Sequence, residues 1–278
     1  MHESSAIRFP NGPSYLVERR LFDESLRSSA TAAGAEMNAI SELPTITRAR
    51  ARWNIEIRNQ HRSYSVSTPL LIDVSGRRAS VVRRFGRRVK LDRLLCIYYL
   101  ASGLPESDQD DRWLLAADAN GWWFSIRVGR GERTFCRFTE GAGNIGADWW
   151  AAMSEGCPEL AAIARAHNYV PQRRMVFDAG TSYSNFSVPG LAAAGDAAFS
   201  IDPLSGQGLA SALGQGLVVG SYACEYLAGR AQALIECRMI QRQELRRMLT
   251  HMMATYAREP RWRDSRFWAQ RTAVRHWP

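Results

Sequence analysis

The stretch at residues 190–216, GLAAAGDAAFSIDPLSGQGLASALGQG, decides the fold. Residues 191–194 are small and apolar and read as a buried strand, which the chain leaves through Gly195-Asp196. A loop carrying Pro203, Ser205, Gly206 and Gly208 follows, and a small-residue helix is expected to open near Gln207. This order suits a ligand that carries hydroxyls and negative charge. The Asp196 carboxylate can accept hydrogen bonds from sugar-alcohol hydroxyls. The loop amides and the positive helix start can face an electron-rich group. Ala197, Ala198, Gly206 and Gly208 leave room for a flat ring to approach the backbone. The competing reading is an ordinary strand–turn–helix joint whose small residues serve packing alone.

These residues resemble the second FAD fingerprint of the aromatic-hydroxylase-type flavoproteins, the group that includes flavin monooxygenases and tryptophan halogenases. The resemblance implies FAD as cofactor. It sets Asp196, with Gly195, at the ribityl chain, and the loop Pro203, Ser205, Gly206 and Gly208 at the pyrimidine edge of the flavin. It extends over residues 14–34, 70–86, 117–140 and 188–216 and over the tail around Pro260-Arg261-Trp262 and Phe267-Trp268. The implied fold is mixed α/β: the C-terminal part of a Rossmann-like FAD domain interleaved with an antiparallel substrate-domain sheet, closed by a helical C-terminal tail. The expected segments are 1–92, a partial FAD-binding domain; 93–170, the substrate sheet with short helices; 171–220, the return of the FAD domain; and 221–278, a helical region.

The same family opens with a strand, a G-x-G-x-x-G turn and a helix that hold the FAD pyrophosphate, with an acid roughly 20 residues on. The start of this chain, MHESSAIRFPNGPSYLVERR, resembles the family beyond that unit, so the N-terminal βαβ unit is expected to be missing and FAD binding impaired. Residues 141–146, GAGNIG, match the spacing but follow a charged aromatic stretch and run into Asp148-Trp149-Trp150, which reads as a loop.

Composition bounds the remaining classes. The 278 residues carry 46% hydrophobic side chains, ordinary for a globular protein. Cys96, Cys136, Cys157, Cys224 and Cys237 are odd in number and scattered, which argues against a disulfide framework or zinc site and for the reducing cytoplasm. No apolar run is long enough to span a bilayer, so no membrane association is expected. The net charge of +9 comes from arginine clusters at 83–90, 238–247 and 258–275, which read as solvated helix faces. No helix–turn–helix or zinc-finger spacing accompanies them, and no nucleic-acid binding is expected.

Periodicity places the elements. A strand is expected at 15–17, a helix at 20–34, a hairpin at 55–57 and 64–66, a buried strand at 70–73 and a short helix at 79–85 ended by Gly86. Strands at 94–102, 113–117, 122–128 and 134–139, parted by turn residues, indicate an antiparallel sheet. Helices at 147–154 and 159–166, a strand at 175–179 and a largely helical remainder complete the chain.

Three further features bear on chemistry. Arg19, at the start of the first helix, sits where the family places an arginine that touches flavin or pyrophosphate; a surface arginine beside Arg20 is the alternative. Ile72-Asp73-Val74-Ser75-Gly76-Arg77-Arg78 resembles the family's middle motif, with Ser75 in place of the usual acid and Asp73 readable as a turn former. That variant leaves the electron source open between NAD(P)H and a separate flavin reductase. Alternation along 122–128 sends Trp122, Phe124 and Ile126 to one face, as a candidate substrate-pocket wall, and Trp123 to the other. Tryptophan halogenases carry Trp-x-Trp-x-Ile-Pro there; Trp122 and Ile126 fit, whereas Phe124 and Arg127 depart from it. The only lysine, Lys90, does not match the halogenases' catalytic lysine. The expected function is FAD-dependent monooxygenation of a small aromatic molecule or a tryptophan on a peptide. A flavin halogenase is the alternative enzyme, and a truncated, inactive relative serving as a binding module is the alternative outside enzymes.

Overall fold

A computed structural model describes residues 17–40, 42–58, 63–104, 107–140 and 148–272. The first elements are α1 (Arg19–Ala32), β1 (Thr45–Ala49), β2 (Arg52–Arg58), β3 (Ser63–Thr68) and β4 (Leu71–Asp73). A one-turn helix α2 (Val82–Phe85) runs into β5 (Gly86–Lys90). Then come β6 (Leu94–Ser102), β7 (Leu114–Asp118), β8 (Gly121–Gly129), β9 (Glu132–Glu140), α3 (Trp149–Gly156) and α4 (Pro158–Ala166). The chain closes with β10 (Val170–Asp178), β11 (Ser182–Phe186), β12 (Leu191–Ala193), β13 (Phe199–Ser200), α5 (Gly208–Leu227), α6 (Ala233–Tyr256) and α7 (Arg266–Thr272). Two units result: Met1–Thr45 with Glu56–Tyr64, and Ile46–Ile55 with Ser65–Pro278. In the first, α1 buries none of its residues.

In the larger unit the tandem Trp122-Trp123 sets the layers. Both lie on β8, inside a five-stranded antiparallel sheet of order β10-β6-β9-β8-β7. Strand alternation sends the two indoles to opposite faces. Trp123 packs with Phe135, Trp149, Met153 and Leu160, so that α3 and α4 cover one face. The Asp148 carboxylate accepts the Trp150 and Ala151 amides at 2.9 and 3.2 Å and starts α3; Pro158 starts α4. Trp122 stacks flat on Phe138, centroids 3.8 Å apart, and joins a core with Trp53, Val82, Leu94, Phe199, Leu249 and Phe267. That second face carries the rest of the unit: the parallel pair β12-β4, the sheet β13-β11-β5, and helices α6 and α7.

The strands expected at 94–102, 113–117, 122–128 and 134–139 are β6 to β9. Three differences have physical causes. The Asp73 carboxylate accepts the Val81 and Val82 amides at 2.9 and 2.8 Å, so the helix expected from residue 79 starts only at Val82. The basic run after Phe85 is strand β5, paired along its length with β11, and not a solvated helix face. The strand expected at 175–179 runs Val170–Asp178 and pairs with β6, so it extends the antiparallel sheet, and the segment break at 170/171 falls inside it. The break at 220/221 falls inside α5. The loop expected at 141–146, and all but Val17 of the strand expected at 15–17, lie outside the described residues.

A buried ion pair braces the far face of the sheet. Arg133 is fully buried; its Nε donates to Asp108 Oδ2 at 2.7 Å, and its second guanidinium nitrogen donates to the Asp110 carbonyl oxygen at 2.5 Å. Tyr169 adds a hydroxyl to the same Asp108 oxygen at 2.9 Å. Removing one partner of such a pair leaves the other charge uncompensated. Arg133→Leu is therefore expected to lower unfolding stability by about 3–5 kcal/mol in urea titration. A loss within experimental error would remove the pair from the forces that hold this face.

Candidate functional site

The parallel pair β4-β12 ends with two acids in very different surroundings. Asp73, at the end of β4, is buried; Oδ1 accepts the Ser75 amide and hydroxyl at 2.9 and 2.6 Å, and Oδ2 the Val81 and Val82 amides. Every one of these donors belongs to the following turn, so Asp73 is a turn former. Asp196 follows β12 after Gly195, which stands at φ +59. Its side chain keeps 40% exposure, and Arg77 Nε approaches Oδ2 at 3.4 Å. Arg77 is itself anchored on the Gly180 and Ile201 carbonyl oxygens at 2.6 and 3.2 Å. Beneath the turn, the Arg88 guanidinium donates to the Asp196, Ala197 and Ala198 carbonyl oxygens at 2.7, 3.1 and 3.4 Å and to the Ser184 and Ser200 hydroxyls. Burial lowers its pKa to about 10, which leaves it a cation at neutral pH. The carbonyls are thereby drawn inward.

The glycine loop comes next. The carboxylate of Asp202 accepts the Leu204 amide at 2.9 Å and winds residues 203–205 into a single turn. Gly206 closes that turn at φ +64, a left-handed conformation that favours glycine, and its amide returns to the Pro203 carbonyl. α5 opens two residues later with no side chain capping its first amides. A side-chain carbon added at Gly208 would meet no atom within 4 Å. A helix start left uncapped and open suits an electron-rich ligand edge.

A cavity of about 300 Å³ lies between this loop and the sheet. The sheet contributes Cys96, Tyr98, Trp122, Phe124, Cys136, Phe138 and Phe177, and the loop contributes Pro203, Leu204 and Gly206. Arg77 and Asp178 stand at its polar end. Asp178 is held by Lys90 at 2.5 Å; against the upward push of burial, that bond and the Gly180 amide leave its pKa below the usual value. A hydrogen bond to Cys136, and burial, push the Cys96 thiol up, so Cys96 presents a neutral thiol. Behind the wall, Trp122 Nε1 donates to the Tyr256 hydroxyl at 2.9 Å, and that hydroxyl donates to Asp202 Oδ2 at 2.6 Å.

The residues singled out by sequence fall as follows. Gly195 and Asp196 form the strand-end turn, and Pro203, Ser205, Gly206 and Gly208 the loop and helix start. Trp122 and Phe124 line the cavity beside that loop. Ile126 does not: it is buried farther along β8, opposite Thr134. Arg19 begins α1 in the smaller unit and takes Asp23 one helical turn on, with 69% of its side chain exposed. Sequence reasoning missed Arg77, Arg88, Asp178, Tyr256 and the thiols as neighbours of the site. Only Arg77 carried a local signal, as the cation after a strand-end Ser-Gly. Among the described residues no group of three histidines, cysteines or acids could hold a metal ion, and no helix is long and apolar enough to cross a membrane.

No protein-family model matches the chain. A curated relative, described as "Putative FAD-dependent oxidoreductase LodB" of Marinomonas mediterranea, is 22% identical over 274 residues, covering 94% of this chain and 72% of the relative. Among solved structures, the flavin-dependent halogenase CmlS superposes with a TM-score of 0.76 at 16% identity, covering 93% of this chain. The peptidyl tryptophan dihydroxylase QhpG, essential for tryptophylquinone cofactor biogenesis, superposes with a TM-score of 0.73 at 19% identity over 92% of this chain. The chain spans 50% of the length of CmlS and 59% of that of QhpG. Over the part that this chain spans, the fold is that of the flavin-dependent halogenase and peptidyl tryptophan dihydroxylase structures.

Proposed function

We propose that this chain binds FAD and supports monooxygenation of an electron-rich aromatic ring. The observation that carries this reading is the shared cavity: Trp122, Phe124 and Phe138 stand opposite Pro203, Leu204 and Gly206. The residues present fit the flavin end of FAD. Asp196 offers a half-exposed carboxylate for ribityl hydroxyls, and Gly206, Gly208 and the uncapped start of α5 offer amides and space for the pyrimidine edge. Ser205 and Gly195 complete that contact set. Bound there, FAD supplies the redox and oxygen chemistry, and the protein supplies binding and a dry environment. The aromatic walls hold a flat ring by stacking and exclude water, while Arg77 and Asp178 give the cavity one polar end.

An indole fits this wall chemistry, and the peptidyl tryptophan acted on by QhpG supports indole as the ring class, free or on a peptide. Hydroxylation stands ahead of halogenation because Phe124 and Arg127 occupy the second-tryptophan and proline positions of the halogenase pattern. Arg127 turns to Asp111 at 2.7 Å.

Two measurements test this. Titrating FAD into the purified chain and following flavin fluorescence should show saturable binding, weakened about 10- to 100-fold by Asp196→Asn through loss of a charge-assisted hydrogen bond. Unchanged affinity would remove Asp196 from the cofactor site. With reduced FAD, oxygen and an indole substrate, oxygenated product is expected with or without halide, and Phe124→Ala should raise KM about tenfold or more. Halogenated product alone would reverse the order of the two chemistries.

A further inference from the structure

We propose that Tyr256 is a positioning residue of this site: its hydroxyl ties the Trp122 ring of the cavity wall to the glycine loop at 203–206, so that the two sides of the cavity hold one spacing. Trp122 lies in the central sheet, Asp202 at the start of the loop, and Tyr256 at the end of α6, and all three are buried. An indole nitrogen can only donate and an ionised carboxylate can only accept. The phenol between them therefore has one arrangement, accepting from Trp122 Nε1 at 2.9 Å and donating to Asp202 Oδ2 at 2.6 Å. The other Asp202 oxygen holds the Leu204 amide at 2.9 Å, and Leu204 lines the cavity opposite Trp122. A displacement of the loop is thus transmitted through one carboxylate and one hydroxyl to the indole.

The Tyr256 ring also packs edge-on against Phe267 and Trp268, at 6.1 and 5.6 Å. A ring kept for packing alone would serve equally as phenylalanine. The difference lies in the hydroxyl, and Asp202 supplies a way to read it. Burial pushes the Asp202 carboxyl up to about 6, against the hydrogen bonds from Tyr256 and Leu204. The charged and titratable groups facing it are Tyr256 from α6, Arg271 from α7 with Nε at 3.9 Å, and Asp92 from the segment before β6. Glu140 holds Arg271 at 3.0 Å, and Arg77 reaches the neighbouring Ile201 carbonyl.

The test is a pH titration by ¹H–¹⁵N NMR of the labelled chain, with no cofactor or substrate added. Its outcome is therefore separate from the reading of the cavity as a ring site; only the consequence for turnover rests on that reading. In the parent chain the Trp122 indole N–H, identified by its loss in Trp122→Phe, and the Leu204 amide should shift together with a midpoint near 6. In Tyr256→Phe the Leu204 amide should still titrate, with its midpoint raised because the ionised carboxylate has lost a donor, while the Trp122 indole should stop following it. A Tyr256→Phe chain whose indole still tracks Leu204, or a parent chain whose indole never does, overturns the proposal. Should Tyr256→Phe fail to fold, Asp202→Asn keeps the test: both signals should lose their pH dependence together, and an indole that still titrates near 6 overturns the proposal.

Discussion

A carboxylate that folding removes from water has to find its hydrogen bonds inside the chain, and this requirement shapes the site. An unpaired buried charge costs several kcal/mol or more, so such a group recruits every donor in reach. Asp73 recruits two amides at Val81 and Val82 and both donors of Ser75, which fixes the turn after β4. Asp202 recruits the Leu204 amide and the Tyr256 hydroxyl, which fixes the loop before α5 and pulls α6 against the sheet. Asp178, at the cavity edge, is taken by Lys90. Asp196, like Asp178, keeps substantial side-chain exposure, but its ion-pair contact is a single long one to Arg77. Asp73 and Asp202 thus build turns, whereas Asp178 and Asp196 pair with cations and stay partly exposed.

The parts of this arrangement that depend on neighbours in sequence were legible beforehand. The strand before Gly195, the turn at Pro203 and the helix start near Gln207 are all local patterns, and the structure places them within one or two residues. The sheet was legible for the same reason, since alternation at 122–128 separates Trp122 from Trp123 without knowledge of what covers either face. Ile126 marks the limit of that logic: alternation gives its face, but the depth at which the cavity ends is set by the loop at 203–206, far away in sequence. Trp122 and Tyr256 are 134 residues apart, and no local pattern announces their hydrogen bond.

Charge was the least legible property. A run of arginines looks the same in sequence whether water or carbonyl oxygens surround the guanidinium. Arg88 alternates inward on β5 because that segment pairs with β11, and it then meets the carbonyl-rich turn at residues 196–198. A planar cation with five donors suits several carbonyls converging on one place, which a lysine could not satisfy. The geometry that makes Arg88 structural comes from pairing, and pairing was not visible in composition.

The polar end of the cavity limits what the protein itself can contribute to a reaction. Cys96 meets the cavity as a neutral thiol, and Asp178 is ionised and held by Lys90. Among the described lining residues Arg77 is the one cation, and its remaining contacts are spent on carbonyl oxygens and on Asp196. None of these groups is poised to take a proton from a ring carbon. What the residues do supply is a fixed distance between two aromatic or apolar walls, with a cation at the junction of the cavity and the Asp196 turn. Under the proposed function, differences between substrates would follow from how a ring is placed against Trp122 and Phe124, with shape and stacking weighing more than acid–base strength.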